Sequence, residues 1–83
     1  MKVNVKYFAS IREAVGRGGE VVETSASTCG ELRDELLARG EPFADALARG
    51  RAVRLALDQV MCGESAELRD GCELAFFPPV TGG

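Results

Sequence analysis

The sequence predicts an α+β domain with one main helix packed on one face of a mixed sheet. Three observations predict it. Segments near both ends alternate apolar and polar residues with the period of a half-buried strand. A well-capped main helical stretch lies between them, and glycines punctuate the connections. Eighty-three residues, 46% hydrophobic and 28% charged, suit one globular domain over residues 1–83.

Residues 2–8 place Val3, Val5 and Tyr7 on one side and Lys2, Asn4 and Lys6 on the other, as a strand does. Residues 10–16 read as a short helix, with Ser10 and Glu13 at capping-box spacing and Gly16 closing it. Residues 20–24 form a second strand that pairs with the first. Thr28 and Glu31 make another capping box and open the main helix, which runs to Arg39 and stops at Gly40. Its apolar stripe is Cys29, Leu32 and Leu36, which leaves Arg33, Asp34, Glu35 and Arg39 to the surface. Residues 42–49 suggest a shorter helical segment, anchored by Phe43 and Leu47 and ended by Gly50. Val53, Leu55 and Leu57 share one face of a third strand. A short fourth strand fits residues 60–62, and residues 73–77 form the last before Pro78 and Pro79. A helix on one face of such a sheet satisfies the layering rule and gives a β-grasp-like arrangement.

Composition excludes several functions. A net charge of −3 leaves no basic excess for nucleic acid. No apolar run approaches membrane-spanning length and no signal-peptide pattern opens the chain, so the expected location is the cytoplasm, with no membrane partner. Histidine is absent, which removes the usual proton shuttle near neutral pH. Cys29, Cys62 and Cys72 have no metal-ligand spacing and read as small apolar side chains in a reducing compartment. A thiol activated at a helix start, Cys29, is the alternative. No phosphate-cradling motif is present, so neither a metal nor a bound cofactor is expected, nor an autonomous enzyme.

Parity marks a surface. With Val3, Val5 and Tyr7 inward, Phe8 turns outward. With Leu74 and Phe76 inward, Phe77 turns outward, and Met61 can extend the patch. A contiguous apolar patch of this kind marks a partner surface. The competing reading bends the strand ends so that loops cover both rings.

The ending is the most informative segment. The last ten residues carry no charged side chain, and the chain closes on Pro78, Pro79, Val80, Thr81, Gly82 and Gly83. Prolines favour an extended exit, so residues 78–83 read as a flexible tail. Two terminal glycines would fit a tunnel too narrow for side chains. A main-chain carboxylate is a poor electrophile, but as an acyl-adenylate it carries a good leaving group that sulfide or another nucleophile can displace. Gly83 is thus the candidate reacting residue, and the activating nucleotide site belongs to another protein.

The strings FASIRE at residues 8–13, LDQ at 57–59 and DGCELAFFPPVTGG at 70–83 resemble the small, sulfur-carrier subunits of molybdopterin synthase over the whole chain. The resemblance implies a ubiquitin-like β-grasp fold. It also implies that an ATP-dependent adenylyltransferase activates Gly83 and that a sulfur-transfer system converts it to a thiocarboxylate. The tail, with Gly82 threading behind Gly83, then enters the large subunit and donates sulfur to cyclic pyranopterin monophosphate, forming the molybdopterin dithiolene. Two carriers are consumed per product, within a heterotetramer. Phe8, Met61 and Phe77 match the family's apolar partner contacts, and Arg12 a polar contact with the activating enzyme. Pro78, Pro79, Val80 and Thr81 belong to the inserted tail. Two positions depart: Asp58 stands where many members have asparagine, and Gly30 weakens the first turn of the main helix. The alternatives are a thiamine-pathway sulfur carrier, a ubiquitin-like modifier conjugated through Gly83, and an interaction domain with an inert tail.

Overall fold

The computed structural model describes residues 1–79. Its elements are β1 (Lys2–Tyr7), α1 (Ala9–Val15), β2 (Gly19–Glu23), α2 (Cys29–Leu37), α3 (Phe43–Ala46), β3 (Arg54–Leu57), β4 (Val60–Cys62) and β5 (Glu73–Phe77). The five strands form one sheet in the order β2-β1-β5-β3-β4. The central pair, β1 and β5, is parallel, and every other pairing is antiparallel. This is the expected β-grasp.

The alternation in β1 does what parity predicts. Val3, Val5 and Tyr7 are at most 1% exposed and meet Leu74 and Phe76 of β5, both fully buried. Leu32 and Leu36 of α2, Phe43 of α3 and Leu47 just beyond close the core from the helical side. Tyr7 stacks on Phe76 and tilts against Phe43, and its hydroxyl donates to Glu20 at 2.8 Å. Burial, reinforced by that carboxylate, pushes the phenol pKa well up, so Tyr7 stays a neutral donor.

Capping separates the two longer helices. Thr28 accepts from the Glu31 amide while the Glu31 carboxylate accepts from the Thr28 amide, the predicted reciprocal cap. The Ser10–Glu13 box does not form: α1 starts one residue earlier, with Phe8 as its N-cap and no side-chain cap. The reason is the β-ladder. The Phe8 amide still donates to the Phe76 carbonyl at 3.1 Å while the Phe8 carbonyl already accepts from Ile11 and Arg12. Strand and helix thus share Phe8, and Ala9 at φ 51° absorbs the change of direction. Gly16 closes α1 in the left-handed region, as predicted.

The main helix ends at Leu37 rather than Arg39, its last turn tightening into three-residue bonds at Arg39 and Gly40. The predicted segment at 42–49 shortens to one turn.

Arg33 corrects the surface assignment. It is 4% exposed. Its guanidinium donates to the carbonyls of Leu47 at 2.8 Å and Ala48 at 3.1 Å and to Glu64 at 3.1 Å. The loop after α3 turns carbonyls toward α2, and the arginine fork meets them: that of Leu47, and that of Ala48 beside the bond it already accepts from the Arg51 amide. Gly30 also has a structural reason. Cys29 and Gly30 donate to the carbonyls of Ala66 and Glu64, which brings that segment against the helix. A β-carbon at residue 30 would lie 2.9 Å from the Glu64 Cβ.

Candidate functional site

Strand registers assemble the outer face of the sheet, the face away from α2. Lys6 pairs with Ala75, Ala75 with Ala56, and Ala56 with Met61, so one row runs across β1, β5, β3 and β4. The neighbouring row holds Phe77 opposite Arg54. Phe8 joins that end of the sheet through its amide bond to Phe76. Alanines at 56 and 75 keep the floor low, so the rings of Phe8 and Phe77 stand as walls.

The result is an open groove of about 550 Å³ bounded by Phe8, Ala9, Ala56, Ala75, Phe77 and the exit prolines Pro78 and Pro79. Gln59 and Glu73 border it at the end remote from the prolines. Phe8 is 48% exposed and Met61 59%, while Phe77 is half-buried. The reading in which loops cover both rings is therefore overturned for Phe8. Met61 lies on the same face beyond Ala56, beside the groove rather than in its lining.

The chain leaves the sheet at this groove. Pro78 and Pro79 follow β5 directly and line it, so whatever covers Phe8 and Phe77 also meets the start of the tail. Val80, Thr81, Gly82 and Gly83, the rest of the predicted site, lie outside the described residues. Arg12 is not brought into the groove: its guanidinium lies against Gly18, in a separate hollow that also includes Ala9 and Arg17.

Sequence reasoning missed Ala56, Ala75 and Arg54. The parity that turned Phe77 outward turns Ala75 outward too, but pairing β3 with β5 needed the register, which parity does not supply. The β3–β4 turn explains Asp58. It and Gln59 have φ of 50° and 69°, a two-residue hairpin conformation that aspartate tolerates. Asp58 also exchanges bonds with β5: its amide donates to the Glu73 carbonyl and its carboxylate accepts from the Glu73 amide. The departure from asparagine keeps this acceptor.

Cys29 is not an activated thiol. Cys29 is fully buried, and burial, with Cys62 nearby, pushes its pKa up to about 12, opposite to the lowering expected of a reactive thiol at a helix start. Among the described residues no cluster of three or more potential ligands could hold a metal ion, and no helix is long and apolar enough to cross a membrane.

Known proteins are similar to this chain in sequence and in fold. The model of the ThiS family matches residues 5–83. The molybdopterin synthase sulfur carrier subunits of Haemophilus influenzae and Escherichia coli are 36% and 38% identical to it over 81 residues. Each alignment covers 98% of this chain and 99% of the relative. Among solved structures, the complex of subunits 1 and 2 of the molybdopterin-converting factor from Helicobacter pylori contains a chain that superposes with a TM-score of 0.71. The two chains are 25% identical, and the match covers all of both. From the extent of the family match and the near-complete alignment to these relatives, the chain belongs to the ThiS family.

Proposed function

We propose that this protein is the sulfur-carrier small subunit of molybdopterin synthase, acting through the carboxyl group of Gly83. The observation that carries the reading is the end-to-end likeness to carrier subunits of that synthase, coupled to an apolar groove at the point where the Gly-Gly tail departs. The relatives' shared name favours it over a thiamine-pathway carrier.

In this reading the chain supplies a docking surface and a reacting terminus, and its partners supply the catalytic groups. An adenylyltransferase joins the Gly83 carboxylate to the α-phosphate of ATP, and pyrophosphate leaves. Sulfide then attacks the acyl carbon, the C–O bond to the phosphate breaks, AMP departs and a thiocarboxylate remains. The large subunit receives that tail, where the sulfur passes to cyclic pyranopterin monophosphate. The Helicobacter pylori complex of two subunits supports a partner of this kind. Phe8 and Phe77 act by burial: rings already facing solvent gain contacts when a partner covers them. Pro78 and Pro79 restrict the backbone at the exit and lower the entropy lost when the tail is ordered.

The test is a reconstitution. Thiocarboxylated protein, verified by intact mass as having one terminal oxygen replaced by sulfur, is mixed with the large subunit and cyclic pyranopterin monophosphate. Molybdopterin is then assayed as its fluorescent oxidised derivative. Product is expected from the full chain and none from a chain lacking Gly83, with unchanged melting temperature. Product from the truncated chain, or none from verified thiocarboxylate with an active large subunit, refutes the proposal.

A further inference from the structure

The cations of this chain fall into two groups. Six arginines have a carboxylate partner: Arg17 and Arg39 with Glu20, Arg33 and Arg49 with Glu64, Arg51 with Asp45, and Arg69 with Asp58. Among the described residues, the four basic side chains with no such partner are Lys2, Lys6, Arg12 and Arg54. Three of these four project from the outer face of the sheet. Lys2 and Lys6 alternate with the buried Val3 and Val5 on β1, and Arg54 precedes the buried Leu55 on β3.

Their positions bracket the apolar groove. Lys6 lies across from Ala75 on the β1 side, and Arg54 lies across from Phe77 on the β3 side. Both are exposed. With β5 between them, the two strands stand about 10 Å apart. The acidic residue in the groove lining, Glu73, starts β5 and so lies at the end far from the prolines. In a chain of net charge −3, the groove is thus flanked by positive charge that no carboxylate among the described residues pairs with.

We infer that this face is matched to a protein surface that sets acidic side chains on both sides of an apolar centre, with Arg54 and Lys6 taking the carboxylates. The inference rests on the carrier reading and extends it by giving the chemistry of the partner's surface. The apolar centre supplies affinity by burial. The two cations orient the approach, because complementary charges at a rim act chiefly on the association rate and on partner choice. Arg54 is the stronger determinant: a planar guanidinium beside a ring can chelate a carboxylate with two parallel bonds.

The experiment measures association kinetics between the full chain and the large synthase subunit of the same organism, at low and high salt. Arg54→Glu and Lys6→Glu are compared with Arg69→Glu. Arg69 is 80% exposed and its replacement changes the net charge equally, but it pairs with Asp58 in the β3–β4 turn, away from the prolines. Melting curves verify that each variant folds. Arg54→Glu is expected to slow association about tenfold or more at low salt, Lys6→Glu several-fold, and Arg69→Glu little, with the differences shrinking at high salt. Wild-type association rates in Arg54→Glu, or equal slowing in Arg69→Glu, overturn the inference while the carrier reading stands. Absence of binding by the wild-type chain defeats the carrier reading, and the inference falls with it.

Discussion

Replacing Arg33 with alanine tests whether an internal arginine holds the helical layer together. The side chain is 4% exposed and bonds three acceptors contributed by two loops. The Leu47 carbonyl belongs to a fully buried residue, and leaving such an acceptor unpaired costs about 1–3 kcal/mol. The Ala48 carbonyl keeps its bond from the Arg51 amide at 2.9 Å, so its loss is smaller. Glu64 has a side chain 39% exposed and keeps Arg49 at 2.7 Å, so its share is about 0–1 kcal/mol. The lost packing of the aliphatic stem brings the expected destabilisation to about 2–4 kcal/mol. For a domain of this size that corresponds to a drop in melting temperature of roughly 10–25 °C. Urea unfolding followed by circular dichroism gives the value directly, with an unchanged slope if the native state is intact. Arg33→Lys should fall between, because it keeps the charge and loses the fork. A loss below about 0.5 kcal/mol in Arg33→Ala, the range of ordinary surface substitutions, would refute the bonding argument.

Three further outcomes are expected. Gly30→Ala should destabilise by about 1–2 kcal/mol in urea unfolding despite alanine's better helix propensity, because the new methyl meets the Glu64 Cβ at 2.9 Å; a stabilised variant would show that this segment yields freely. Hydrogen bonds from Arg49 hold the Glu64 carboxyl below the usual carboxylate range, so the unfolded chain takes up that proton first. The stabilisation is complete above about pH 4.3 and is lost as pH falls from there through the lower folded pKa; urea midpoints between pH 6 and 3 should fall less steeply in Arg49→Gln, and identical slopes would contradict this. Phe8→Glu should leave the melting temperature within a few degrees, since the ring is 48% exposed, yet weaken binding to the large subunit about 30-fold or more by calorimetry; unchanged affinity would remove Phe8 from the interface.

Much of the architecture was legible because it is written in short-range patterns. Period-two alternation in β1 and β5 set the inward residues, and the Thr28–Glu31 cap set the start of α2. The role proposed for Gly83 rests on the sequence alone, since residues 80–83 lie outside the described residues. What escaped was non-local. Ser10 gave way as a cap because Phe8 was held by a strand some seventy residues away in sequence. Arg33 looked like a surface residue by helical position, and only the approach of the Leu47 and Glu64 loops buried it. The groove floor at Ala56 and Ala75, and the bracketing of Phe77 by Arg54, exist only through the β3–β5 register. Parity decides which side of its own strand a residue occupies. Which residue of another strand stands beside it depends on how all the strands and helices pack together, and here that packing decided where the charges stand around the apolar face.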